Sequence, residues 1–130
     1  MESQNSTGGE KYRPLAIKLP LEYWETGKSC SKGGLARTVS EGGLLLYCVQ
    51  NIPVGTELNV KVFFYDGYEL DTFKAVGKIV WKDPLHYGNL EGFQYGLEYT
   101  RMSEEDRRKI LGLLRGCPFE GPSVEAPVAL

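Results

Sequence analysis

Metal-ligating side chains are scarce in this chain, which has one histidine, His86, and three scattered cysteines, Cys30, Cys48 and Cys117, with no CxxC pair among them. A four-ligand structural zinc site cannot be assembled from such a set in one chain. The odd number of thiols fits a reducing compartment better than a disulfide framework. An excess of charge of one sign is also lacking: 15 basic and 17 acidic side chains leave a net charge of -2, too little field to draw in DNA or RNA by counterion release. No stretch approaches the ~20 apolar residues of a membrane span. Met1 to Gly9 likewise has no apolar run, so the expectation is a soluble, cytoplasmic protein with no membrane insertion. Catalytic groupings are missing as well. His86 stands in the run DPLHYGN without a serine or cysteine beside it, and no set of nucleophile, base and oxyanion donor can be put together. Asp66, Glu69 and Asp71 lack the glycine and terminal glutamate of a calcium loop. The chain reads as a non-enzyme with no metal.

What the sequence does have is alternation. Leu15, Ile17, Leu19, Leu21 and Tyr23 are spaced at period two, and Pro20 within them predicts an edge or bulge. Leu35 to Val39 alternates again, Glu41-Gly42-Gly43 marks a turn, and an apolar run follows from Leu44 to Val49. After the turn Ile52-Pro53-Val54-Gly55, Leu58, Val60, Val62 and Phe64 share one face. Asp66-Gly67 signals a hairpin into a long strand from about Leu70 to Trp81, on which Phe73, Ala75, Gly77, Ile79 and Trp81 share a face. Gly77 in mid-strand predicts a bend of the kind a closing barrel needs. Lys82 to Gly92 reads as a loop, and Phe93, Tyr95, Leu97 and Tyr99 as the inner face of a last strand. The strand aromatics are expected in the core, with Phe63 and Tyr65 as the outward exceptions that would form a partner patch.

One segment has helical spacing. Ser103 with Asp106 starts it, Glu104 and Glu105 suit its positive end, Ile110, Leu111, Leu113 and Leu114 form its apolar stripe, and Gly116 ends it. Residues 1–10 read as a flexible lead-in and 117–130 as a flexible tail. The expected fold is mainly β: a six-stranded antiparallel barrel with one C-terminal α-helix.

The segment from Gly34 to Leu46, the IPVGTEL turn, the GKIVW strand and the YGLEY strand before the serine-capped helix together resemble the PilZ domain family over about residues 11–116. The resemblance implies a six-stranded barrel with a trailing helix, and a bacterial regulatory module that binds cyclic di-GMP or controls type IV pili, motility or exopolysaccharide through protein partners. Family binding uses an RxxxR pair before the first strand and a [D/N]xSxxG turn after the second. Ser40 and Gly43 match the turn motif, while Thr38 stands where the family has Asp or Asn. Before the first strand only Arg13 is present, with Gly9 four residues upstream and Lys11 nearby. The ligand-binding set implied is Lys11, Arg13, Arg37, Thr38, Ser40 and Gly43. Lysine lacks the planar fork of arginine and a threonine hydroxyl cannot make a two-point contact to a base edge, so nucleotide binding is expected to be weakened. The alternative is an adaptor that acts through protein contacts and binds no nucleotide.

Overall fold

A computed structural model describes residues 17–116. Among these residues six strands precede one helix: β1 (Leu19–Glu25), β2 (Lys32–Val39), β3 (Gly43–Cys48), β4 (Glu57–Asp66), β5 (Glu69–Tyr87), β6 (Leu90–Arg101) and α1 (Glu104–Gly116). They close into an antiparallel barrel in the order β1-β2-β3-β6-β5-β4, with β4 returning to β1. The lead-in and tail expected at 1–10 and 117–130 lie outside the described residues, as does Leu15.

Alternation does most of the building. Leu58, Val60, Val62 and Phe64 of β4 point inward against Leu19, Leu21 and Tyr23 of β1 and Phe73, Ala75 and Ile79 of β5, and all are buried. At roughly 1.5–3 kcal/mol for each large apolar side chain taken out of water, these rows supply the main drive for closure. Pro20 pairs with Leu35 of β2, but pairing of β1 with β4 begins only at Leu21. Among the described residues the proline therefore has a neighbouring strand on one side only, where its missing N–H leaves no gap in a ladder. Gly77 lies at a register shift, and a Cβ there would come within 2.8 Å of the Leu97 side chain.

Three expectations are corrected. Lys82 to Gly92 is not a loop: β5 and β6 stay paired out to Tyr87 and Leu90, and Gly88, at φ 63°, turns the chain between them. This arm runs past the last β3 partner, Cys48 opposite Phe93, and Asp83, Pro84, Leu85 and His86 on it are exposed or half-buried without a two-residue alternation between core and solvent. Trp81 is not in the core. A bulge between Ile79 and Trp81 adds Val80 to β5, reverses the in-out order, and leaves Trp81 40% exposed. Leu35 likewise does not share a face with Val39, because a second bulge between Ala36 and Thr38 adds Arg37 to β2 and turns Ala36 inward instead. Among the aromatics, Tyr65 is exposed, and Phe63 and Phe93 are half-buried.

The helix begins as its sequence implies. Ser103 Oγ accepts from Asp106 N–H at 3.0 Å and donates to Asp106 Oδ2 at 2.7 Å. Asp106 Oδ1 also accepts from the Lys74 N–H of β5 at 3.1 Å, and Lys109 Nζ reaches Asp71 Oδ1 at 3.0 Å and the Thr72 carbonyl at 2.9 Å. These bonds hold the buried Ile110 against the barrel, with Leu113 and Leu114 beside it.

Candidate functional site

The turn between β2 and β3 is tied to itself. Ser40 donates from its N–H and from its Oγ to the Gly43 carbonyl, both at 2.9 Å, and Ser40 Oγ accepts from Gly43 N–H at 3.2 Å. Tyr99 N–H of β6 donates to the Gly42 carbonyl at 2.9 Å. Any Cβ at Gly43 would collide with the Leu97 carbonyl oxygen, so only glycine allows β3 to lie this close to β6 here. The Ser40 hydroxyl hydrogen is thus committed within the turn, while one of its lone pairs remains for an incoming donor.

The bulges at Arg37 and Val80 shape the surface next to that turn. Arg37, the extra residue of β2, is aimed along the outer face, where its Nη1 donates to Gln94 Oε1 of β6 at 2.8 Å. Thr38, Leu45, Gly96 and Trp81 form one row across β2, β3, β6 and β5. Gly96 is the low point of this row; a Cβ there would strike the Trp81 indole, which lies over the bare backbone. A groove of about 360 Å³ runs along the row from Thr38 and Ser40 to Trp81. A second depression of about 440 Å³, lined by Ile17, Lys18, Arg37, Thr38, Leu45 and Gln94, adjoins it through Thr38 and Leu45. The face therefore offers a guanidinium fork, a threonine hydroxyl with no hydrogen-bond partner among the described residues, and a half-exposed indole. Such a set suits a planar, anionic molecule: the fork matches phosphate oxygens or a guanine edge, and the indole can stack on a base.

Groups of the kind used in catalysis lie elsewhere. The Cys48 thiol is buried, which pushes its pKa up, and burial likewise raises that of Tyr23, whose hydroxyl lies against the thiol. Its proton is held rather than released, the reverse of what a nucleophilic cysteine requires. Tyr95 is raised by the same cause, and its hydroxyl donates to the Gln50 carbonyl at 2.5 Å and accepts from Ile52 N–H at 2.8 Å. It anchors the loop after β3 and faces no cavity of the candidate site. His86 is on the exposed β5–β6 arm opposite Glu91. Among the described residues, no three His, Cys, Asp or Glu side chains come close enough to hold a metal ion. Among the same residues, no helix is long and apolar enough to cross a membrane.

Of the six residues singled out in the sequence, the fold brings Arg37, Thr38, Ser40 and Gly43 together; Lys11 and Arg13 lie outside the described residues. Sequence reasoning missed Gln94, Leu45 and Trp81. The signal for Trp81 was Gly96, a glycine in mid-strand that marks a close approach, but only the strand register tells which side chain approaches.

The fold is similar to several solved structures. The inhibitor of motility MotI/DgrA of Bacillus subtilis superposes with a TM-score of 0.68 at 12% identity, over 86% of this chain and 52% of that one. The PilZ domain of YcgR from Escherichia coli, solved with c-di-GMP, gives 0.61 at 9% identity over 88% and 98%. PlzA of Borreliella burgdorferi, solved in complex with c-di-GMP, gives 0.57 at 16% over 90% and 57%. This chain spans about half the length of the motility inhibitor, and identities this low speak for the fold alone. No protein of curated function matches the chain in sequence. The PilZ domain family, however, matches residues 12–116, which takes in the whole barrel, both bulges, the Ser40–Gly43 turn and the helix; this chain belongs to the PilZ domain family.

Proposed function

We propose that this chain is a bacterial regulatory module of cyclic di-GMP signalling that binds the dinucleotide weakly on the outer face of its barrel and does no chemistry on it. The observation that carries the reading is the bulge at Arg37, which sets a guanidinium beside Thr38, the Ser40–Gly43 turn and the Trp81 indole on one surface. Arg37 takes a phosphate or a guanine edge, Thr38 and Ser40 accept from base donors, Gly43 keeps the turn close, and Lys11 and Arg13 add charge from the segment that precedes Ile17. Solved structures of two similar proteins, YcgR and PlzA, hold c-di-GMP, and a third is an inhibitor of motility. Control of motility, pili or exopolysaccharide in the cytoplasm is the setting this supports.

Binding is weak for two reasons. The Arg37 fork must first leave Gln94, and an arginine and an acidic or amide side chain are missing from the motifs. At roughly 1.5–3 kcal/mol for each charge-assisted hydrogen bond, two absent bonds lower affinity by about a hundredfold or more. NMR titration of the full chain with cyclic di-GMP is the test. Saturable shifts at Lys11, Arg13, Arg37–Gly43, the Gln94 side-chain amide and the Trp81 indole N–H are expected, with half-saturation in the high micromolar to millimolar range, on the order of 10⁻⁴–10⁻³ M. A spectrum unmoved at millimolar ligand would remove this reading. The adaptor reading would then stand, supported by Val80 and Trp81, which place 45% and 40% exposed apolar side chains on the same face.

A further inference from the structure

A different part of the molecule carries features that its own fold leaves unmatched. At the tip of the β4–β5 hairpin, Tyr68 is fully exposed and Tyr65 and Leu70, directly opposite one another, are 71% and 59% exposed. Three large apolar side chains bare to water at one tip form the kind of patch that marks an interaction surface. In the next cross-strand pair, Asp66 faces Glu69. Like charges set opposite each other are unfavourable in isolation, and neither carboxylate has an ion-pair partner among the described residues.

Beside this tip lies a groove of about 620 Å³, lined by Tyr65 and Asp66 from the hairpin and by Glu105, Arg108, Gly112 and Leu113 from α1. Gly112 is in the middle of the helix, where glycine is unfavourable relative to alanine, and a Cβ there would meet nothing within 4 Å. Internal packing therefore gives no reason for the glycine, whose effect is to leave a notch in the groove wall. Arg108, one turn before the notch, has no ion-pair partner among the described residues, unlike Lys109, which is held by Asp71. The surface thus has an acidic, aromatic projection and, next to it, a notch flanked by an uncommitted arginine. A patch that contains both halves of a match is what a two-fold contact requires, since each residue then meets its complement on the other copy.

We propose that two copies of this chain associate about a two-fold axis through this surface, the β4–β5 tip of each seated in the α1 notch of the other. Tyr68 packs over Gly112 of the second copy, and Glu69 and Asp66 meet its Arg108. The like-charge pair at the tip and the bare glycine in the helix are both resolved by the same contact.

Sedimentation velocity on the full chain tests this over micromolar to millimolar concentrations. The expected result is a monomer–dimer equilibrium that Tyr68→Ser abolishes. Glu69→Arg and Arg108→Glu are each expected to be monomeric alone, since each sets like charges against each other twice across the axis. An equimolar mixture of the two restores opposite charges at both contacts and is expected to dimerise. All three positions are exposed, and an unchanged amide spectrum of each variant confirms its fold. A wild-type chain that stays monomeric at millimolar concentration overturns the proposal and leaves the face to a different protein. A mixture no more associated than its components overturns it by moving the contact elsewhere.

Discussion

The β2–β3 turn and the β4–β5 tip are both tight, glycine-bearing connections between antiparallel strands, yet they treat their polar groups in opposite ways. In the first, the Ser40 side chain and the backbone of Gly42 and Gly43 are all bonded within the barrel. In the second, Asp66, Glu69 and Tyr68 reach out to solvent with no partner among the described residues. A side chain already bonded at home is chiefly there for the fold, and whatever binds beside it must use the groups left over. A side chain with no intramolecular role is open to an outside partner at little risk to stability. The PilZ turn motif illustrates the first case, because Ser40 and Gly43 are needed to bring β3 against β6 whether or not a nucleotide is present.

Substitutions can break or sharpen this contrast. Gly43→Ala has the largest expected effect: the new methyl meets the Leu97 carbonyl in the β3–β6 ladder, and urea unfolding should show a loss of about 3 kcal/mol or more, the upper range for overpacking. Ser40→Ala removes a donor and an acceptor from the turn and should lower stability by about 1–2 kcal/mol in the same measurement. The Asp71–Lys109 tether gives a smaller effect, visible in its pH dependence. The hydrogen bond from Lys109 holds the Asp71 carboxyl below its ordinary value, and the same bond raises Lys109. A carboxyl lowered in the folded state favours folding above its unfolded pKa of about 3.9 and gives that up as pH falls through the lowered value. The raised ammonium favours folding below about 10.4 and gives that up as pH rises beyond it. Asp71→Asn should therefore flatten the acid limb of the urea midpoint against pH below about pH 4. Tyr68→Ser is expected to do least. Measured at low micromolar protein, it should change stability by less than about 0.5 kcal/mol, as for other exposed positions without partners. A large loss there would erase the distinction between the two connections.

Much of the barrel was legible because period two is a direct record of which side chains face inward. Leu58, Val60, Val62 and Phe64 show it, as do Phe73, Ala75 and Ile79. The helix was legible from its serine cap and apolar stripe. Alternation fails where a strand holds an extra residue, since nothing in the order of amino acids distinguishes an insertion from a regular step. For that reason Trp81 was expected inside and Leu35 on the face of Val39. The Lys82–Gly92 arm was misread because Pro84, Gly88 and Asn89 are loop-forming types and no core imposes a pattern on strands that leave the barrel. At the candidate site, the turn motif could be read from linear spacing. The Arg37–Gln94 bond and the Trp81–Gly96 contact depend on register across strands, which linear spacing does not encode.

The two bulges have a consequence for how this chain can change over time. On either side of Arg37, Ala36 points in and Thr38 points out; on either side of Val80, Ile79 points in and Trp81 points out. Deleting either residue would leave every remaining neighbour in its regular alternation. The barrel can therefore lose these two positions more readily than it could lose Gly43. They are additions that the wall does not need, and both open onto the one surface where a ligand is proposed to sit.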